Sequence, residues 1–152
     1  MAAAHTPEIT NKKAFHEFFI LEKFECGLAL IGCEVKSLRA GNASLQEGYC
    51  KFIDDELFLV DVHVAEYPNA AHVAYVPTRP RKLLLHAREL RKLKAAVAEK
   101  GLTIVPLRIY LHKRVFKAEI GLARGKKLYD KREDMKERDW KRSKAKIEGR
   151  RR

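Results

Sequence analysis

The sequence predicts a mainly β domain with flanking helices that ends in a basic C-terminal tail. Three observations carry this: several short stretches alternate apolar and polar residues within about 120 positions, two stretches between them carry a helical period, and the last stretch has no apolar face. Many short strands with single helices between them suit a small closed or partly closed barrel, and the OB-fold, an OB-fold-like small β-barrel, is the leading expectation. The length of 152 residues and the hydrophobic content of 46% allow one folded domain with a real core.

Residues 1–11 read as a mobile N-terminal arm, because no apolar period runs through them. Structure is expected from Phe15. Along the following segment one parity carries Phe18, Ile20, Phe24, Leu28 and Leu30 while the other includes Lys23 and Glu25, the pattern of a half-buried strand, with Gly27 as its bend. In "GCEVKSLRAG" the spacing of Ile31, Val35 and Leu38 makes one face of a short helix, and Gly41 suits the left-handed position past its end. "EGYCKFI" and "ELFLVDVHV" then read as a hairpin, the second strand placing Phe58, Val60, Val62 and Val64 on one parity.

"PNAAHVAYVPTRPRK" holds three prolines and reads as a loop crossing the body. An amphipathic helix follows in "HARELRKLKAAVAEKG", with Leu90, Leu93 and Val97 inward, Arg88, Arg91, Lys92 and Lys94 outward, and Gly101 as its stop. "LTIVPLRIYL" and "VFKAEIGLA" alternate again, joined by the basic turn "HKR"; the second places Phe116, Ala118, Ile120 and Leu122 inward. The folded domain is therefore expected over residues 12–127, and the tail over 128–152.

In the tail, Leu128, Met135, Trp140 and Ile147 are too sparse to form a stripe that docks on a core, so it is expected to be disordered alone. Asp130 stands three residues before Glu133 as in a capping box, and opposite charges recur a turn apart through "DMKERDWKRSKAKIE", so a partner that supplies anions would make it helical.

Charge points to that partner. The formal net charge is +12, and residues 121–152 hold 14 Lys/Arg against 6 Asp/Glu, a net +8. Nucleic acid is the first candidate, because phosphate contacts release counterions and dominate affinity; a membrane surface is the second. No window approaches the roughly 18 apolar residues of a spanning helix, and the N-terminus lacks a signal-peptide layout, so a cytoplasmic protein without a membrane partner is expected. Three cysteines without CxxC spacing favour buried, reduced thiols, and six histidines without a ligand-spaced pair leave metals and cofactors without support. The triplet Asp54, Asp55, Glu56 could hold a nuclease metal, but its place between two strands favours a solvated turn. No nucleophile or paired-acid arrangement emerges, and no enzyme is expected.

"GCEVKSLRAGNASLQEGY", "RPRKLLLH" and "GLARGKKLYDKRE", in this order, closely resemble the small protein B family, also called SsrA-binding proteins, the bacterial partners of transfer-messenger RNA (tmRNA). The resemblance runs from about Asn11 to Trp140. It implies an OB-type barrel that binds the tRNA-like domain of tmRNA, as a monomer in a one-to-one complex. It also implies delivery to stalled ribosomes for trans-translation, with elongation factor Tu in the delivery complex, and a tail that enters the decoding centre and the empty mRNA channel.

The family pattern maps RNA contacts onto Asn11, His16, Glu25, Arg81, Lys82, Leu84, Lys117, Lys126 and Lys127. Arg and Lys hold phosphate, His16 stacks on an unpaired base, and Asn11 bonds a base edge or sugar. A carboxylate at an RNA surface repels phosphate, so Glu25 would have to accept from a base amine or orient a neighbour. Core packing is the default for Leu83 and Leu85, and an RNA-facing Leu84 rests on the resemblance alone. Glu34 and Lys36 read as architectural. At the ribosome, Tyr129, Asp130, Lys131 and Arg132 match the tail motif, with Asp130 as helix cap, Lys131 and Arg132 on rRNA phosphate, and Tyr129 stacking where some members carry His. Trp140, away from any hydrophobic face, reads as a stacking anchor. A generic OB-type RNA-binding or ribosomal protein remains the alternative class.

Overall fold

The computed structural model describes residues 8–67, 75–126, 132 and 136–142. The elements among the described residues up to 126 are β1 (Ile9–Thr10), α1 (Lys12–Glu17), β2 (Phe18–Leu28), α2 (Gly32–Arg39), β3 (Ala43–Ser44), β4 (Tyr49–Ile53), β5 (Glu56–Val60), β6 (His63–Val64), β7 (Arg81–Leu84), α3 (Ala87–Lys100), β8 (Thr103–His112) and β9 (Val115–Gly125). The order β1-β8-β4-β5-β7-β2-β9, with β9 also paired to β8, closes the sheet into a barrel. Closure satisfies strand edges that an open sheet would leave bare. β8 gives one whole edge to β9 and shares the other between β4, at Cys50 opposite Ile104, and β1, at Ile9 opposite Ile109.

The interior follows from period-two patterning. Phe24, Cys26 and Leu28 of β2, Leu57 and Leu59 of β5, and Phe116, Ala118, Ile120 and Leu122 of β9 all point inward. α3 lies against this core through Leu93 and Ala96, with Leu90 and Val97 packed beside them; Gly101, at φ 62°, ends the helix in the left-handed conformation that glycine adopts without strain. Each fully buried Leu or Ile contributes about 1.5–3 kcal/mol. Both hairpins turn on two left-handed residues, Asp54 (φ 50°) and Asp55 (φ 64°) between β4 and β5, Lys113 (φ 49°) and Arg114 (φ 67°) between β8 and β9. That geometry matches the twist of the paired strands.

Four expectations are corrected. The arm expected over residues 1–11 stops short, because Ile9 and Thr10 pair with β8 and Asn11 is 2% exposed. Phe15 does not begin a strand: it lies in α1, whose start is fixed when the Asn11 side chain accepts from the Ala14 N–H at 3.2 Å. α1 covers the outer face of β8 and β9, packing Ala14 on Val105, Leu107 and Ala123 to make a second small core. The irregularity of β2 lies between Ile20 and Glu22 rather than at Gly27. The parity through 58–64 breaks at Asp61 (φ 58°), so that Leu57 and Leu59 are buried before it and Val62 and Val64 after it, the last in β6 paired to β3.

"RPRK", read as the end of a loop, instead supplies the first half of β7. Leu83 is buried and Leu84 is exposed. Cys26 and Cys50 are buried free thiols, Cys26 pushed up to about 12 by burial, with the charges of Glu89 and Glu25 adding; Cys33 is only half-buried. Of the tail, residues 136–142 are helical with all side chains exposed, and opposite charges pair along that helix, as in Lys141 with Glu137 at 3.3 Å.

Candidate nucleic-acid interface

Sheet register brings four residues from separate strands onto one surface. Gly27 of β2 stands opposite Leu84 of β7 on one side and opposite Lys117 of β9 on the other, and Lys117 stands opposite Tyr110 of β8. Two positions away, on the same face, Glu25 stands opposite Glu119, and Glu119 opposite Arg108. Residues in register on neighbouring strands share a face, so these two rows form the outer wall of the barrel beside α3. Gly27 matters by what it lacks: a Cβ there would lie 3.1 Å from the Leu84 Cβ. The result is an open groove of about 520 Å³, lined among others by Glu25, Leu84, His86, Glu89, Val115 and Lys117.

The groove is chemically mixed. Leu84 and Val115, 51% and 55% exposed, offer apolar surface of the kind that stacks on a base. Lys117 is half-buried and has no acidic partner among the described residues. Glu25 accepts a hydrogen bond from the Tyr110 hydroxyl. Burial first, and then that bond to the carboxylate, push the Tyr110 phenol up to about 12, so it stays a protonated donor at neutral pH. Lys82, two positions before Leu84 on the same face of β7, is paired with Glu56 at 3.0 Å, an exposed contact that yields readily to a phosphate.

A second basic cluster lies where α1 meets the end of β9. Lys126 donates from its backbone N–H to the Glu17 carbonyl at 2.8 Å and from Nζ to the Phe15 carbonyl at 3.3 Å, and it lies 4.9 Å over the Phe19 ring. Arg124 is 5.1 Å from that ring, and His16, half-buried in the last turn of α1, is close by in sequence. Lys23 joins the two clusters, over the Phe15 ring at 5.7 Å and 4.0 Å from Glu119. Sequence reasoning missed Lys23, Arg108 and Tyr110 as parts of this face. Their only signal was an outward parity on strands that had still to be put in register.

Two expected contacts are not available to RNA. Arg81 is completely buried: its Nε bonds Glu34, Nη1 bonds the Val62 carbonyl at 2.7 Å, and Nη2 bonds the Tyr75 hydroxyl and the Pro77 carbonyl, each at 2.9 Å. Alternation along β7 turns it inward when Lys82 and Leu84 point out. Asn11 is equally occupied, donating to the Leu45 carbonyl at 3.2 Å and the Pro106 carbonyl at 2.9 Å while it caps α1. Both are architectural residues. Glu34, read as architectural, is completely buried with Arg81 and is also bonded by Tyr75 and Arg79 from the segment that precedes β7.

Lys127, Tyr129, Asp130 and Lys131 lie outside the described residues. Arg132 is exposed in a helical position, and Trp140 is 66% exposed in residues 136–142. Asp54 and Asp55 form a turn, and Lys94 pairs with Asp55. Among the described residues no group of three His, Cys, Asp or Glu is placed to hold a metal ion, and no helix is long and apolar enough to cross a membrane.

Comparison with known proteins is consistent across sequence and structure. The family model described as SmpB protein matches residues 8–150. An SsrA-binding protein of Solidesulfovibrio magneticus is 54% identical over 129 residues, covering 85% of this chain and 84% of the relative. One from Ralstonia nicotianae is 51% identical over 138 residues, covering 90% of this chain and 93% of the relative. A solved chain described as "tmRNA-SmpB: a journey to the center of the bacterial ribosome" superposes with a TM-score of 0.68 at 46% identity, covering 84% of this chain and 93% of that one.

Proposed function

The chain belongs to the SmpB protein family, and from that premise we propose that it binds the tRNA-like domain of tmRNA and delivers it to stalled ribosomes for trans-translation. The observation that carries this is the convergence of Glu25, Leu84 and Lys117, from three strands far apart in sequence, on one groove. Such a mixture suits folded RNA with splayed bases: a cation for phosphate, an apolar surface for stacking, and an acceptor for a base edge. His16, Lys82, Lys126 and Lys127 extend the same interface. The protein acts as a cytoplasmic monomer, one to one with tmRNA, and meets elongation factor Tu in the delivery complex.

The tail has a separate task. Tyr129, Asp130, Lys131 and Arg132 contact the decoding centre, and the segment around Trp140 enters the empty mRNA channel as a helix. The exposed Trp140 side chain and the absence of an apolar stripe support this, because such a helix has no face to bury on its own barrel. Trp140 fluorescence is expected to be that of a solvated indole in the free protein and to shift when stalled ribosomes are added. A buried emission spectrum before ribosomes are added would contradict it.

Direct competition tests the RNA specificity. The tRNA-like domain of tmRNA should displace an ordinary tRNA from the protein, whereas a generic basic OB-type binder would hold both with similar affinity. Binding should weaken steeply with salt, and Lys117→Ala should lower the log-log slope by about 0.7–0.9 for one lost phosphate contact. Affinity independent of salt would remove the electrostatic basis of the interface.

A further inference from the structure

Glu25 occupies a position that sheet energetics disfavour. It stands directly opposite Glu119 on the same face, and like charges in opposite cross-strand positions repel. Glu119 is compensated: Arg108 donates to it at 3.0 and 3.2 Å, and Lys23 is 4.0 Å away. Glu25 has no cation partner among the described residues. Its bond comes instead from the neutral hydroxyl of Tyr110, which reaches across β9 from β8 to the Oε2 atom. A local rule broken in this way, with charge balance given to one glutamate and withheld from its neighbour, marks a site kept for another purpose.

Tyr110 is built to hold still. Its ring lies 4.4 Å from the Arg108 guanidinium, and Arg108 is itself held by Glu119 and, at 3.2 Å, by Glu8. A clamped phenol bonded to one carboxylate oxygen leaves the other, Oε1, without a protein partner among the described residues at the edge of the groove. We propose that Tyr110 is a positioning residue for RNA recognition: it fixes the Glu25 carboxylate so that Oε1 accepts from the exocyclic amine of an unpaired base seated between Leu84 and Lys117. This rests on the reading that the groove binds the tRNA-like domain of tmRNA. The contact selects a base that carries an exocyclic amine over phosphate, which offers no donor and is repelled.

Tyr110→Phe keeps the ring and its Arg108 stacking and removes only the hydroxyl. Binding of the tRNA-like domain and of an ordinary tRNA is measured for the wild type, Tyr110→Phe, Glu25→Gln and the double variant, across salt and alongside thermal melting. Tyr110→Phe is expected to weaken the tRNA-like domain about tenfold while the affinity for ordinary tRNA, the salt slope and the melting temperature stay unchanged. The double variant should bind no more weakly than Glu25→Gln alone. The proposal is overturned if Tyr110→Phe binds like the wild type, if both RNAs weaken in parallel with a fall in melting temperature, or if the two losses multiply. A wild type without preference for the tRNA-like domain would sink the functional reading itself, and this proposal with it.

Discussion

Removal of all residues after Lys127 is expected to leave binding of the tRNA-like domain essentially intact and to abolish peptide tagging on stalled ribosomes. The groove is built from β2, β7, β9 and α3, and none of its lining residues lies beyond Lys117. The second cluster, as far as the described residues show it, ends at Lys126, and the truncation keeps both Lys126 and Lys127. What it removes is 11 Lys/Arg against 6 Asp/Glu, so non-specific affinity for any RNA should fall at low salt while the preference for the tRNA-like domain over ordinary tRNA persists. Filter binding with both RNAs and a tagging assay on ribosomes stalled without a stop codon separate the two tasks. Loss of the preference in the truncated protein would show that the tail belongs to the tmRNA site, contrary to the division proposed here.

Glu34→Gln is expected to be strongly destabilising, because it leaves a completely buried guanidinium without its counter-charge. Arg81 and Glu34 are both 0% exposed and bonded to each other; Arg79 adds a second cation, the Ile31 N–H donates to Glu34 at 3.0 Å and the Tyr75 hydroxyl at 3.3 Å. Removing one partner of a buried pair costs about 3–5 kcal/mol, a large part of the roughly 5–15 kcal/mol of a typical domain. Urea denaturation should show a lower midpoint with an unchanged slope. Arg81→Ala should behave alike; lost RNA affinity at unchanged stability would instead return Arg81 to the interface.

The same cluster sets a pH dependence. Burial opposes ionisation of Glu34, but hydrogen bonds from Arg79, the Ile31 backbone and Arg81 outweigh it and hold the carboxyl below its ordinary 4.5. A carboxyl depressed in the folded state contributes stability that is fully present above its unfolded value. That contribution is lost as pH falls through the folded value. Acid unfolding of the wild type should therefore include a component below pH 4.5 that is missing from Glu34→Gln.

Arg81 and Asn11 show why a motif can be read correctly and assigned to the wrong task. "RPRK" carries a cluster of cations, and composition does not say which of two adjacent cations faces out. Alternation decides it once β7 is recognised as a strand, and β7 is only four residues long, its last two belonging to a run of three leucines that shows no alternation. Asn11 precedes a helix of six residues, too short to announce itself by period. That helix is held by a cap and by packing on Val105, Leu107 and Ala123, all distant in sequence.

The sequence by itself determined what repeats locally: the inward parities of β2 and β9, the amphipathic α3 with its terminal glycine, the two hairpins, the basic tail without an apolar face, and the motifs that place the chain in its family. Periods of two and 3.6 are written within a single element, so no partner is needed to read them. Only the tertiary structure decided how the sheet closes, that Arg81 and Glu34 neutralise each other inside it, and that Leu84, Gly27, Lys117 and Tyr110 fall in one row. Those facts depend on register between strands far apart in the chain, 90 residues for Gly27 and Lys117, and register is set by the packing of the whole core. The bond from Tyr110 to Glu25 is of this kind: each residue has an ordinary place on its own strand, and their relation exists only in the closed barrel.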